Sequence, residues 1–586
     1  METCQVRLNI VVAKFLEEHG VKHVFGVNGG ACLWLIHGLT ENTNVKFIPT
    51  AHEQGAGFAA DAYARLGGVG VAMATSGPGA TNLVTAIAAS YQDSVPTLFL
   101  TGNVATFRQG ARFGVRAYGF QELDVVSMVG KITKYAVQVS DPYTVLYHLG
   151  KALWVASQGR KGPVLVDLPD DLQRLDIDPD RMEPWVAPCA RAVPHRPMPI
   201  KEVAQALLEA RRPLFVWGAG VRDAAEPARA LAASLGVPVA CSWGAIDLMP
   251  AADELMCGGF GTHGTRPANF AVQNADLIIS LGCRLDTKAT GTPSHFARGA
   301  RIAMVDMDAA ELGKFRELGR RIDFPVQADC LEFVKALAQE SAPQADWQDW
   351  RRQIAEWKRR YPSTDHPDWT GVRPYAFMRE LAEYTTADDV IVSDTGCTLG
   401  WAMQGFPFKG ERFVHAFNMT PMGYALPAAV GAAFATGKRV ICLCGDGSIM
   451  MSLSELATIR RWNLPVKIFV FNNKGHAMCR QTQRQWLGSK YPATSLDGGL
   501  GFPDFENVAD AFGIWVGTWV FMWPFIPGPL WGDVPALMPK FTVLKIDPEA
   551  QLIPQARYGA PIEDGDPALS REELRSQMIV PLLENA

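Results

Sequence analysis

Short apolar runs rich in β-branched residues recur along this chain, each followed by a helical stretch. A buried run of this kind reads as a strand covered on both faces, which restricts the fold to parallel sheets sandwiched by helices. The first block carries such runs at 24–27, 71–74, 97–100 and 164–168, the second at 213–217, 237–241, 277–281 and 302–305, and the third at 390–393, 440–444 and 466–471. Two breaks separate the blocks. The first, 187–199, holds four prolines, and the second, 342–371, is rich in Trp, Arg and Pro and reads as a helix followed by a crossing linker. The fold class expected is α/β, with three doubly wound parallel-sheet domains at 1–186, 200–340 and 372–550 and a tail at 551–586. The three blocks are similar enough in size to be copies of one fold.

With 48% hydrophobic and 20% charged residues the 586-residue chain has apolar material for several cores. Its net charge of −5, with acids and bases interspersed, offers no field for a nucleic-acid backbone. Eleven scattered cysteines form no CxxC pair, so neither a disulfide framework nor a zinc site is signalled and a reducing, cytoplasmic setting is expected. The first dozen residues lack the apolar core of a secretory signal. One uncharged stretch, 511–532, carries Trp515, Trp519, Phe521, Trp523, Phe525 and Trp531 and is long enough to span a membrane, but Pro524, Pro527 and Pro529 argue against a straight helix.

Chemistry concentrates at strand ends. Gly445-Asp446-Gly447 and, further on, Asn472-Asn473 each follow an apolar run. Glycines there let backbone approach a diphosphate, and Asp446 and Asn473 offer hard oxygens to a small divalent cation such as Mg²⁺. Either half alone would read as a turn. In the first block His52-Glu53-Gln54-Gly55-Ala56 precedes an alanine-rich helix; an isolated Glu53 would read as a surface acid favoured by the helix dipole.

Together these residues resemble the thiamine diphosphate enzymes, and the order of further motifs resembles acetohydroxyacid synthases in particular. Those motifs are Thr75-Ser76-Gly77-Pro78-Gly79-Ala80-Thr81-Asn82, Gly119-Phe120-Gln121-Glu122, Thr133-Lys134, Gly162 to Pro169, and Pro421-Met422-Gly423-Tyr424-Ala425-Leu426-Pro427-Ala428. The resemblance covers most of the chain. It implies decarboxylation of a 2-keto acid, pyruvate first, and ligation of the two-carbon unit to a carbonyl acceptor. By it Glu53 activates the cofactor through its pyrimidine ring, Gly30 and Gln121 border the reacting carbonyl, Phe120 lines the channel and Lys134 lies near the acceptor. Thr75, Gly77, Pro78, Asn82, Thr420, Met422, Gly445, Gly447 and Ser448 would contact thiamine diphosphate, with Met422 as an apolar wedge beneath it; Asp446, Asn473 and the Gly475 carbonyl would hold Mg²⁺.

The middle block resembles the same family's FAD domain through Gly218, Gly220, His263, Gly282, Arg284, Asp286, Asp306 and Asp329. Lys288 stands where the family has arginine, Asn28 where it has proline, and Thr482 where Arg480-Gln481-Thr482-Gln483 replaces Arg-Gln-Trp-Gln. Loss of that tryptophan leaves open an acceptor other than a keto acid, and a pyruvate oxidase-like flavin oxidoreductase is the alternative in another class. A homodimer or homotetramer is implied, and a regulatory subunit is left open. The tail around Pro561 resembles a segment that closes over the active site in this family, with a plain surface tail as the other reading.

Overall fold

The computed structural model describes residues 5–188, 197–340, 346–517, 538–557 and 559–583, and most of the aromatic stretch at 511–532 lies outside them. Three six-stranded sheets dominate the chain, and every strand pair within them is parallel. In the N-terminal unit the strands are β1 (His23–Gly26), β2 (Lys46–Pro49), β3 (Gly70–Ala74), β4 (Thr97–Asn103), β5 (Tyr135–Gln138) and β6 (Val164–Pro169). The central unit holds β7 (Pro213–Trp217), β8 (Val239–Cys241), β9 (Met256–Gly259), β10 (Leu277–Leu281), β11 (Arg301–Asp306) and β12 (Phe324–Gln327). The C-terminal unit holds β13 (Val390–Ser393), β14 (Arg412–Val414), β15 (Val440–Gly445), β16 (Val466–Asn472), β17 (Trp515–Gly517) and β18 (Lys540–Lys545).

The units are not three copies of one topology. The outer two share an order, β2-β1-β3-β4-β6-β5 and β14-β13-β15-β16-β18-β17, whereas the central one runs β9-β8-β7-β10-β11-β12. That central order places the first and fourth strands side by side, the dinucleotide-binding topology whose crevice opens beyond the carboxyl ends of β7 and β10.

The outer units meet through two alanine-rich helices, Glu53–Arg65 and Ala425–Thr436. Small residues let the backbones touch: a Cβ on Gly431 would come within 2.0 Å of the Ala59 carbonyl oxygen. The helix Gln348–Arg360 belongs with the central unit. Its buried indoles staple it down, Trp347 donating to the Ala210 carbonyl at 2.9 Å and Trp350 to that of Pro213 at 3.1 Å.

The tail also docks on the central unit. Ile562, Glu563 and Leu574 are buried, and Glu563 accepts from Arg298 at 2.8 Å while Asn269 and Asn274 donate to the carbonyls of Ile562 and Gln577. Among the described residues no helix is long and apolar enough to cross a membrane.

Candidate active site

At the carboxyl end of β15 the chain turns into a short helix, Asp446–Ile449, which buries Asp446 at 2% exposure. Asp446 accepts from the Gly447 amide at 2.7 Å and the Gly475 amide at 3.1 Å, and burial pushes its carboxyl up to about 6. The Asn473 side-chain amide lies 2.7 Å from the Gly475 carbonyl oxygen and 3.2 Å from Asp446 Oδ2, and with its nitrogen turned toward them it donates to both. Turned over, the same amide would set its oxygen beside the Asp446 carboxylate and the Gly475 carbonyl, three hard oxygens that suit a small cation. The set is one carboxylate, one amide and one carbonyl; among the described residues no cluster of three His, Cys, Asp or Glu side chains offers another metal site.

Around this group the backbone is drawn in tightly. A Cβ on Gly447 would come 2.4 Å from His476 Nε2 and 3.4 Å from Met422 Cε, so glycine there admits both side chains. Met422 rides on a loop fixed by Asp394, a fully buried acid one residue beyond β13 that accepts from the Gly423 amide at 3.1 Å and the Ala425 amide at 3.2 Å. Burial moves Asp394 up to about 6, opposed by these bonds and one from the buried Ser448. The sequence reading missed Asp394 and His476; a strand-ending acid followed by Thr395-Gly396 was the available signal for the first.

In the N-terminal unit the predicted residues gather at the carboxyl ends of β3 and β4. Glu53 opens its helix, half-buried, and accepts from Asn82 at 2.9 Å, while a Cβ on Gly79 would lie 3.4 Å from its other oxygen. Thr75 Oγ1 accepts from the Ala31 amide at 3.2 Å, which holds the exposed Gly30 loop beside it. Gly77 takes φ +59° at the start of the helix Pro78–Asn82, and Gln121, itself at φ 63°, backs onto it, 3.0 Å from where a Cβ would stand. Glu53, Gly30, Thr75, Gly77, Pro78, Asn82 and Gln121 thus form one group.

Two predicted residues stand apart from it. Phe120 is 88% exposed and lines no channel within one chain. Lys134 precedes β5 at the amino edge of the sheet, where its ammonium meets the carbonyls of Val155 (2.5 Å) and Gln158 (2.6 Å) at a helix C-terminus. That is a helix-capping cation by geometry; an apolar flank and a following strand concealed this from sequence.

The central unit presents a cleft of about 1100 Å³ lined by Gly218, Gly220, Gly282, Arg284, Asp286, Asp306 and Asp329, with Arg65 and Asp93 from the first unit and Asn418 and Thr420 from the third. Its floor is the crevice expected of the strand order. Gly218 is packed so that a Cβ would sit 2.1 Å from the Gly282 carbonyl oxygen, and Gly282 itself adopts φ +54°. The space is ample for a dinucleotide. Asp286 spends its carboxylate on the amides of Lys288 and Ala289, and Asp306 accepts from that of Asp308. His263 is not part of the lining: it is buried behind Trp243, edge-on at 5.5 Å, and burial lowers its imidazole to about 3.

The comparisons with known proteins agree with this geometry unit by unit. The family described as thiamine pyrophosphate enzyme, N-terminal TPP binding domain, matches residues 7–128; the central domain of the same family matches 200–337, and its C-terminal TPP binding domain matches 394–521. The acetolactate synthase isozyme 2 large subunit of Escherichia coli is 36% identical over 509 residues, 86% of this chain and 89% of that protein. The acetolactate synthase large subunit of Lactococcus lactis is 34% identical over 513 residues, 86% of each. A probable acetolactate synthase large subunit of Methanocaldococcus jannaschii is 34% identical over 524 residues, again 86% of each. With three matched domains, each sheet in its place and the acid, amide and glycine positions gathered at the strand ends, the chain belongs to the thiamine pyrophosphate enzymes, among their acetolactate synthase-like members.

Proposed function

We propose that this protein decarboxylates pyruvate and ligates the two-carbon unit to a second carbonyl compound, using thiamine diphosphate, Mg²⁺ and a bound FAD. The observation that carries the reading is the convergence of Asp446, Asn473 and the Gly475 carbonyl at the carboxyl end of the sheet, a set that suits a hard cation. Thiamine diphosphate, when bound, supplies the carbanion that attacks the keto carbon and the electron sink that lets CO₂ leave. Glu53 would hold a proton for the cofactor's pyrimidine ring, and Asn82 fixes the direction of its carboxylate through the 2.9 Å bond. Met422 would supply apolar support to the cofactor and Gln121 a hydrogen-bonding group to the keto acid. Gly218 and Gly282 would cradle the FAD diphosphate, and the flavin is structural.

The acceptor is the second carbonyl compound, and Thr482 argues for one bulkier than a simple keto acid. It lies exposed on the helix Ala477–Trp486, which issues directly from the metal loop, and its hydroxyl bonds back to the Met478 carbonyl at 3.2 Å. Glu53 and the oxygen group stand on different units of the chain, and the segment 107–120 exposes Phe107, Phe113, Tyr118 and Phe120 beside Arg108, Arg112 and Arg116. Both features support a homodimer, or a tetramer built from it, with sites shared between chains. Nine free cysteines among the described residues, eight of them buried, suit a cytoplasmic protein.

Product analysis with pyruvate plus a panel of aldehydes and ketones tests the reading. An acyloin or acetohydroxy acid product supports it. Pyruvate-dependent dye reduction, with anaerobic bleaching of the flavin at the turnover rate, would replace it with the oxidase class.

A further inference from the structure

The loop that carries Met422 is clamped at both ends by one buried ionic network from the N-terminal unit. At its near end Asp93 accepts from the amides of Phe417 (2.7 Å) and Asn418 (2.9 Å) and from the Asn418 side chain (2.6 Å). At its far end Tyr424 donates to Asp61 at 2.7 Å. Arg65 joins the two carboxylates, reaching Asp61 at 2.6 Å and Asp93 at 2.9 Å, and the acids' side chains are only 0% and 4% exposed. In such low-dielectric surroundings a satisfied network is stiff, and displacement of one member is felt by the rest.

A third arm leaves this network for the dinucleotide cleft. Asn418 Oδ1 accepts from Arg284 Nη1 at 3.1 Å, and Arg284 Nε is held by Glu311 at 2.9 Å. Arg284, Asn418, Asp93 and Arg65 all line the cleft. Midway along the loop Thr420, also in the lining, is held at φ 45°, a strained conformation for threonine that persists only where its surroundings enforce it.

We propose that Asp93 and Asn418 are positioning residues that couple occupancy of the dinucleotide cleft to the pose of Met422, and thereby to binding of thiamine diphosphate. The proposal rests on the assignment of FAD to the cleft and of thiamine diphosphate to the Met422 loop given above. A dinucleotide that engages Arg284 fixes the side chain against which Asn418 leans. Asn418 and Asp93 then hold one end of the loop, while Asp61 and Tyr424 hold the other. Because coupling between two ligands is reciprocal, thiamine diphosphate tightens FAD by the same factor.

Calorimetric titration of the full-length protein tests this without assaying activity. Four titrations are needed: FAD alone, thiamine diphosphate with Mg²⁺ alone, and each onto protein saturated with the other. In the unmodified protein each ligand is expected to bind about tenfold tighter when the other is present. Asn418→Ala leaves the Asp93 bonds to backbone in place; the coupling factor, a ratio of affinities within one protein, is expected to fall to one whatever the affinity of each ligand alone. Asp93→Asn, checked for folding by thermal unfolding, loses the coupling and also weakens thiamine diphosphate binding on its own. Unmodified protein that binds both ligands without coupling, or an Asn418→Ala protein that keeps the full factor, overturns the proposal. Failure of the unmodified protein to bind either ligand singly overturns the site assignment, and the proposal with it.

Discussion

Glu53→Gln preserves the shape of the side chain and its contact with Asn82 but removes the oxygen that can share a proton. General acid–base catalysis of this kind is worth about 10²- to 10⁴-fold. The substitution is therefore expected to slow hydrogen–deuterium exchange at C2 of the bound cofactor by that order while leaving cofactor affinity nearly unchanged; exchange at the unmodified rate removes Glu53 from its role. Thr482 makes a second prediction at this scale. An aromatic in a hydrophobic pocket discriminates one extra methylene by about 1–3 kcal/mol, and threonine lacks that surface. The protein should show little preference for 2-ketobutyrate over pyruvate as acceptor, and Thr482→Trp should raise it. Competition between the two acids, read as a product ratio, decides; strong preference in the unmodified protein would mean that Thr482 does not face the acceptor. Asp446 and Asn473 were legible in the sequence because Gly445-Asp446-Gly447 and Asn472-Asn473 occur together in the family pattern, each after an apolar run. Phe120, Lys134 and His263 were not, since an aromatic, a lysine or a histidine in an apolar flank fits many surroundings. Asp394 and the Asp61–Arg65–Asp93 network escaped notice because, beyond the local Asp61–Arg65 pair, the groups they hold at Phe417, Gly423 and Tyr424 are distant in sequence.

At the scale of elements, the runs that read clearly as strands are the interior ones. Leu277–Leu281 and Val164–Pro169 are buried at every position and apolar at nearly all of them, the one acid, Asp167, being held by Thr101 and Asn103. The edge strands Lys46–Pro49, Tyr135–Gln138 and Phe324–Gln327 were missed, as half-exposed strands carry mixed residues and lose the signal. Lys540–Lys545 was missed although it is interior, because lysine closes both of its ends. The helix pair that joins the outer units was visible only as alanine richness; its close crossing was not. Gly431→Ala tests that crossing. Alanine favours an isolated helix by about 1 kcal/mol over glycine, but overpacking a tight contact costs about 1–3 kcal/mol. The neighbour here is the Ala59 carbonyl oxygen at 2.0 Å, a backbone atom that cannot rotate away, so the cost should win. A lowered midpoint in thermal unfolding is expected, and a raised one would show that the helices stand further apart.

For the whole molecule, the position of Glu53 on one unit and of the oxygen group on another raises the question of which chain completes which site. In a two-fold dimer the first unit of one chain can face the third unit of its partner. Glu53→Gln and Asp446→Ala should each inactivate the protein, the second because the cation loses its one anionic ligand from the chain. Exchange of subunits between the two variants separates the possible arrangements. If sites form between chains, half of the randomly mixed dimers contain one chain of each kind. In such a dimer one site collects both substitutions and the other collects neither. Equal mixing should therefore restore about a quarter of the unmodified number of active sites. If each chain closes its own site, every site keeps one substitution and nothing returns. Activity measured after subunit exchange, with each variant alone as the control, decides between a shared site and a private one.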